Sequence, residues 1–185
     1  MRVLMTSYCI RKEGLPVKPM STKSIREIAL AVRSLFGIKT NFCDVVGIVE
    51  LFGHGFLSDF SFEVVDDNEE SMKGKWAETF PDKKLVRVKN SVYIKACEGD
   101  GQARYTIAHE LGHLFLRHRF DKSFSRYNGD LPRWRDSEWQ ADTFAAELLM
   151  CVNLVMGMTA NEIAEKCVVS YSAAETRRRK LDYGK

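Results

Sequence analysis

Residues 108–115 read AHELGHLF and place His109, Glu110 and His113 in the order H-E-x-x-H. On a helix, residues four apart lie about 40° apart around the axis, so His109 and His113 share a face. Two imidazoles one turn apart can reach a single metal ion. Glu110 stands about 100° around the helix from His109. It can approach a water in the site without being a ligand. The pattern therefore reads as two zinc ligands and a general base. Ile107, Ala108, Leu111, Leu114 and Phe115 surround it with apolar side chains, the shell a metal site needs to limit water and fix its ligands. The chain is thus constrained to a helix with chemistry on one face and packing on the others.

A catalytic zinc takes a third protein ligand and keeps a fourth position open. A third histidine in the register H-E-x-x-H-x-x-G-x-x-H would need Gly at 116 and His at 119, where the chain has Leu116 and Arg119. His118 misses that register and reads as a helix-end or surface histidine, with substrate contact as the alternative. The remaining option is a downstream carboxylate. Glu138 and Asp142, in SEWQADTF, are four apart on one helical face. Glu138 is the candidate ligand. Asp142, one turn on, is the candidate acceptor for the second ring N–H of a ligand histidine, fixing its tautomer. A solvated helix face is the competing reading of this pair. Glu147 falls on the opposite side of the helix, and Asp136 is better used as a helix cap. Two histidines and a glutamate favour zinc but would also accept manganese or cobalt.

Length and composition bound the rest. A chain of 185 residues, 45% hydrophobic and 29% charged, suits one domain with a buried core and leaves room for a small appended unit. A net charge of +3 is too small to announce nucleic-acid binding. The five cysteines, Cys9, Cys43, Cys97, Cys151 and Cys167, are scattered and contain no C-x-x-C pair, as expected of reduced cytoplasmic thiols. The first residues show neither a signal peptide nor a membrane span. The expectation is a cytoplasmic, soluble protein.

Along the chain, residues 1–20 read as an N-terminal arm. SIREIALAVRSLFG has helical periodicity and a capping box from Ser24 to Glu27, and a second helix spans Asp44 to Phe52. FSFEVV alternates with period two and predicts a half-buried strand with Phe60, Phe62 and Val64 inward. DDNEESMKGK reads as a loop, and LVRVK and SVYIKA as two further strands. The motif helix runs over 102–118 from a start near Asp100. A loop follows, then a helix from Asp136 or Ser137 through ELLM. Capping boxes at Thr159–Glu162 and Ser172–Glu175 predict two terminal helices.

RYTIAHELGHLFLRH followed by EWQADTFAAELLM resembles the ImmA/IrrE family of metallopeptidases, over residues 20–182. One departure is Cys151, where the family often has Pro after ELLM. The resemblance implies an α+β fold of minimal zincin-like, gluzincin type. In it a small, mainly antiparallel sheet packs on the H-E-x-x-H helix, with flanking N- and C-terminal helices. It implies a zincin-like domain over 21–151, with 152–185 a helical segment packed on or appended to it. It implies zinc held by His109, His113 and Glu138, with Glu110 as base. It also implies a role in gene regulation, in which the chain cleaves or disables a helix-turn-helix repressor of a prophage, mobile element or stress regulon.

Several roles stay open in the residues themselves. Tyr105, Arg126, Tyr127 and His118 are near enough in sequence to supply an oxyanion donor, and none is selected. An exposed edge strand over 84–96 is the expected seat for an extended substrate, by analogy of fold. Two rival functions remain. One is a zincin scaffold that sequesters its partner without cutting. The other is a DNA-binding regulator whose C-terminal segment, with Arg177, Arg178, Arg179 and Lys180, meets phosphates. Glu110 argues against the first, because ligation alone gives no reason for a carboxylate beside the metal. Against the second, a basic cluster near a helix C-terminus also serves as a solvated face that complements the helix dipole.

Overall fold

The computed structural model describes residues 14–118 and 131–182. The readings of residues 1–13, of Arg126 and Tyr127, and of most of the loop before Pro132 lie outside them. The elements are α1 (Thr22–Leu35), α2 (Val45–Glu50), β1 (Ser61–Val65), β2 (Ala77–Phe80), β3 (Leu85–Lys89), α3 (Asn90–Cys97), α4 (Gly101–Phe115), α5 (Ser137–Leu149), α6 (Val152–Val155), α7 (Ala160–Cys167) and α8 (Tyr171–Asp182). No helix among the described residues is long and apolar enough to cross a membrane.

The fold is α+β, but the sheet is mixed and not mainly antiparallel. Its order is β1-β3-β2, with β1 parallel to β3 and β2 antiparallel to β3. The loop after β1 tucks in Met72, which is fully buried, and carries the chain past the position β3 takes. A tight turn at Pro81–Lys83, closed by Lys84 in the left-handed region, then reverses the chain into β3. The strand β2 has no strong hydrophobic alternation and escaped the sequence reading.

SVYIKA forms α3 and not a strand. A six-residue apolar-polar run does not separate the two periods on its own. Here Val92 and Ala96, four apart, are the buried pair, while Ile94 is exposed. Asp67, in the loop after β1, accepts the Ser91 N–H at 3.0 Å and satisfies part of the helix's first turn from outside. In β1 the alternation fails at its end, since Val64 is exposed and Val65 is buried. The expected edge strand over 84–96 is likewise corrected. β3 is the central strand, and the edges are β1 and β2.

Two caps also shift. Ser21 caps α1, accepting the Ser24 N–H at 3.1 Å, so Ser24 lies inside the helix. Ser170 takes the position expected of Ser172, accepting the Ala173 N–H at 3.3 Å. The Thr159–Glu162 box forms in full. Asp44, Asp100 and Asp136 cap α2, α4 and α5 through their side chains.

The helix α4 is central. One side packs on β2 and β3, the other on α5. Ile107, Ala108, Leu111 and Leu114 of α4 are buried with Val86 and Val88 of β3 and with Phe144, Ala145 and Leu148 of α5. Burying each large aliphatic side chain contributes about 1.5–3 kcal/mol. At Gly112 the two helices close up, and a Cβ there would lie 3.0 Å from the Ala141 Cα and carbonyl oxygen. Behind α5, the buried Glu147 carboxylate receives both Arg177 of α8 and Arg26 of α1, at 2.7–2.8 Å and 3.1 Å. Residues 14–20 run antiparallel to the chain that enters α5. Val17 N–H donates to the Arg135 carbonyl at 2.9 Å, and Ser137 N–H donates to the Leu15 carbonyl at 3.1 Å.

Candidate metal centre

Position on α4 and α5 brings His109, His113 and Glu138 together. One donor atom from each lies within 4.8 Å of the others. His109 Nε2 is 3.0 Å from His113 Nε2, and the Glu138 oxygens stand 3.3 Å from His109 Nε2 and 3.4 Å from His113 Nε2. Two ligands on a tetrahedral zinc, each at about 2.0–2.1 Å, are roughly 3.3 Å apart. The donor set therefore suits a tetrahedral ion in both chemistry and spacing, and these three residues could hold a metal. The approach of α4 to α5 at Gly112 makes this spacing possible, since Gly112 precedes His113 and Ala141 lies one turn beyond Glu138.

Asp142 accepts from His109 Nδ1 at 3.0 Å. A carboxylate only accepts, so the proton sits on Nδ1 and His109 Nε2 faces the donor cluster. Burial by itself lowers the basicity of His109. The hydrogen bonds to Asp142 and Glu138 and the nearby Glu110 carboxylate outweigh it and push the pKa up to about 10.

Glu110, 8% exposed, lies beside the cluster. Thr79 of β2 reaches its Oε2 at 2.6 Å and its main-chain oxygen at 3.1 Å. Thr79 is a site residue that the sequence reading missed. A threonine in a four-residue strand without clear alternation leaves no usable signal.

His118 is a helix-end residue, as expected, its N–H bonding the His113 carbonyl at 3.1 Å, but its ring is not a surface group: it packs against the site, its Nδ1 2.9 Å from His113 Nδ1 and its Nε2 3.0 Å from Gln140 Oε1. Burial pushes its pKa down to about 4, against a smaller opposing effect of the Gln140 hydrogen bond. Three of the chain's four histidines thus meet here, brought in by the left-handed turn at Arg117 that ends α4.

The other candidates go elsewhere. Tyr105 donates to the Asp142 main-chain oxygen at 3.0 Å and braces α4 on α5. Glu147 is taken up in its pair with arginines, and Asp136 caps α5. Arg177 is buried on Glu147, which removes one member of the basic C-terminal cluster, and Arg178 pairs with Asp182.

A cleft of about 240 Å³ opens over the cluster, with Glu78, Thr79 and Pro81 on the β2 side and Leu15 and Val17 on the other. A second groove of about 460 Å³, around Pro19, Trp134 and Trp139, is larger. Its lining has no carboxylate, imidazole or thiol, so the smaller cleft is the candidate site.

A family model described as the IrrE N-terminal-like domain, Peptidase_M78, matches residues 62–177. This span contains β1 to the middle of α8 and every residue of the cluster. No curated protein matches the chain in sequence. Among solved structures, a Mycobacterium tuberculosis transcriptional regulator is similar, with a TM-score of 0.55 and 16% identity over 84% of this chain. The chain spans 46% of that protein's length, and the likeness is one of fold.

Proposed function

The chain belongs to the IrrE N-terminal-like domain family, and on that premise we propose that it is a zinc-dependent endopeptidase on a minimal zincin-like scaffold. The observation that carries the reading is the convergence of His109, His113 and Glu138 at ligand spacing, with the Glu110 carboxylate alongside and fixed by Thr79. His109, His113 and Glu138 would hold the ion. Zinc bound there would supply a Lewis acid for the scissile carbonyl and lower the pKa of a water. Glu110 would take the proton of the attacking water as the carbon–oxygen bond forms and deliver it to the leaving amine as the carbon–nitrogen bond breaks. Thr79 holds the Glu110 carboxylate at Oε2. Asp142 keeps His109 in the tautomer that presents Nε2.

The substrate reaches the site as an extended segment, pairing along the edge strand β2, whose Glu78 and Thr79 line the cleft. The target is a specific cytoplasmic protein, a helix-turn-helix repressor of a prophage, mobile element or stress regulon. Family membership, and the fold shared with a Mycobacterium tuberculosis transcriptional regulator, support that choice. The test compares new protein N-termini in a host-cell lysate after adding the zinc-loaded protein or its Glu110→Gln variant. Termini produced by the wild type alone establish the peptidase and name its substrate. One zinc per chain and no new termini would defeat the peptidase reading in favour of a sequestering protein.

A further inference from the structure

Asp142 accounts for the tautomer of His109, and nothing in the proposed chemistry accounts for that of His113. We infer that His118 and Gln140 form a relay that positions His113, presenting its Nε2 to the metal. The inference rests on the metal-site reading above.

The relay begins at a fixed amide. Gln140 is fully buried, and its Nε2 donates to the carbonyls of Lys18 at 2.9 Å and Trp134 at 2.7 Å. Both amide hydrogens are thereby used. A flipped amide would set its oxygen against two carbonyl oxygens, so the orientation is determined. Gln140 Oε1 therefore faces His118 Nε2 as an acceptor, at 3.0 Å, and His118 carries a proton on Nε2. A neutral ring protonated there has its lone pair on Nδ1. That lone pair stands 2.9 Å from His113 Nδ1 and accepts its N–H. His113 is left with its lone pair on Nε2, the atom that faces His109 and Glu138.

The two ligand histidines thus reach the same tautomer by different routes. His109 uses one exposed carboxylate, Asp142. His113 uses a chain of donors and acceptors, half-buried at His118 and fully buried at Gln140, that ends on two backbone carbonyls. One of those carbonyls belongs to the N-terminal arm and the other to the segment entering α5. Docking of residues 14–20 is therefore part of the construction of the site.

The test measures zinc affinity by competition with a chromophoric chelator in the full chain and in three variants. His118→Asn keeps an acceptor where Nδ1 stood, His118→Phe removes it, and Gln140→Leu releases the relay. Loss of such an outer partner costs roughly 10- to 100-fold in metal affinity. That loss is expected for His118→Phe and Gln140→Leu, with His118→Asn close to wild type. Long-range proton–nitrogen spectra of the metal-free protein, labelled at histidine, are expected to show His113 protonated on Nδ1 in wild type and His118→Asn, and a tautomer mixture in the other two. This readout does not move if the residues serve packing alone. Wild-type affinity and an unchanged His113 tautomer in His118→Phe would overturn the relay while the metal site stands. A wild type that binds no zinc would overturn the metal reading and the relay with it.

Discussion

Glu110 and His109 are neighbours in the chain, and one step along the helix gives them different tasks. His109 points into the donor cluster, whereas Glu110 lies beside it under Thr79. Glu110→Gln keeps the shape and loses the base. It is expected to bind one zinc per chain and to lower the turnover of the identified substrate by roughly 10²- to 10⁴-fold. Zinc titration and cleavage assays on the same preparation check both halves. Glu138→Gln separates the roles in the other direction. It removes a charged ligand, so zinc affinity itself should fall, and equal affinity in wild type and variant would remove Glu138 from the ligand set.

At the scale of elements, the site depends on how closely α4 approaches α5. Gly112 faces the Ala141 backbone so closely that a Cβ, at 3.0 Å, would force a shift of a few tenths of an ångström, and Ala141 neighbours Asp142. Gly112→Ala raises the intrinsic helix propensity of α4 by about 1 kcal/mol. Overpacking at the contact costs about 1–3 kcal/mol and pushes the two ligand-bearing helices apart. The variant should lose stability and zinc affinity together, which thermal unfolding with and without zinc would reveal. The elements also show where local pattern misled. A short alternating run became α3 because Val92 and Ala96 meet the core four residues apart. Conversely, β2 became a strand with little pattern of its own, because β3 offers it an antiparallel partner in a tight hairpin.

At the scale of the molecule, Glu147 joins α1, α5 and α8 through Arg26 and Arg177. Burial alone would raise the pKa of Glu147, but the two guanidinium groups outweigh it and hold the carboxyl below its usual range. A depressed folded-state pKa contributes stability that is present above the unfolded value near 4.3 and is lost as pH falls through the folded value. Unfolding by urea should therefore show stability declining below about pH 4, and Glu147→Gln should flatten that part of the profile. Arg177→Met leaves a buried carboxylate short of its main partner and is expected to cost about 3–5 kcal/mol at neutral pH. A loss well below 1 kcal/mol would show that Arg26 alone carries the pair.

The sequence by itself determined the motif helix, its Asp100 start, the Asp136 cap, and the spacing that puts two imidazoles on one face and two carboxylates on another. These are local matters, because helical periodicity and capping act over four residues. Only the tertiary structure decided which side chains complete the shell. Thr79 lies 31 residues from Glu110, and Gln140 lies 22 residues from His118. Neither contact has a spacing that a helix or strand imposes. His118 shows the boundary most clearly. By register it falls outside the metal pattern, yet a left-handed turn at Arg117 folds it back under His113. The sheet's mixed order and the buried Arg177 belong to the same class. Each is settled by which surfaces meet, through burial and hydrogen bonds between distant segments, and no periodicity in the chain encodes that meeting.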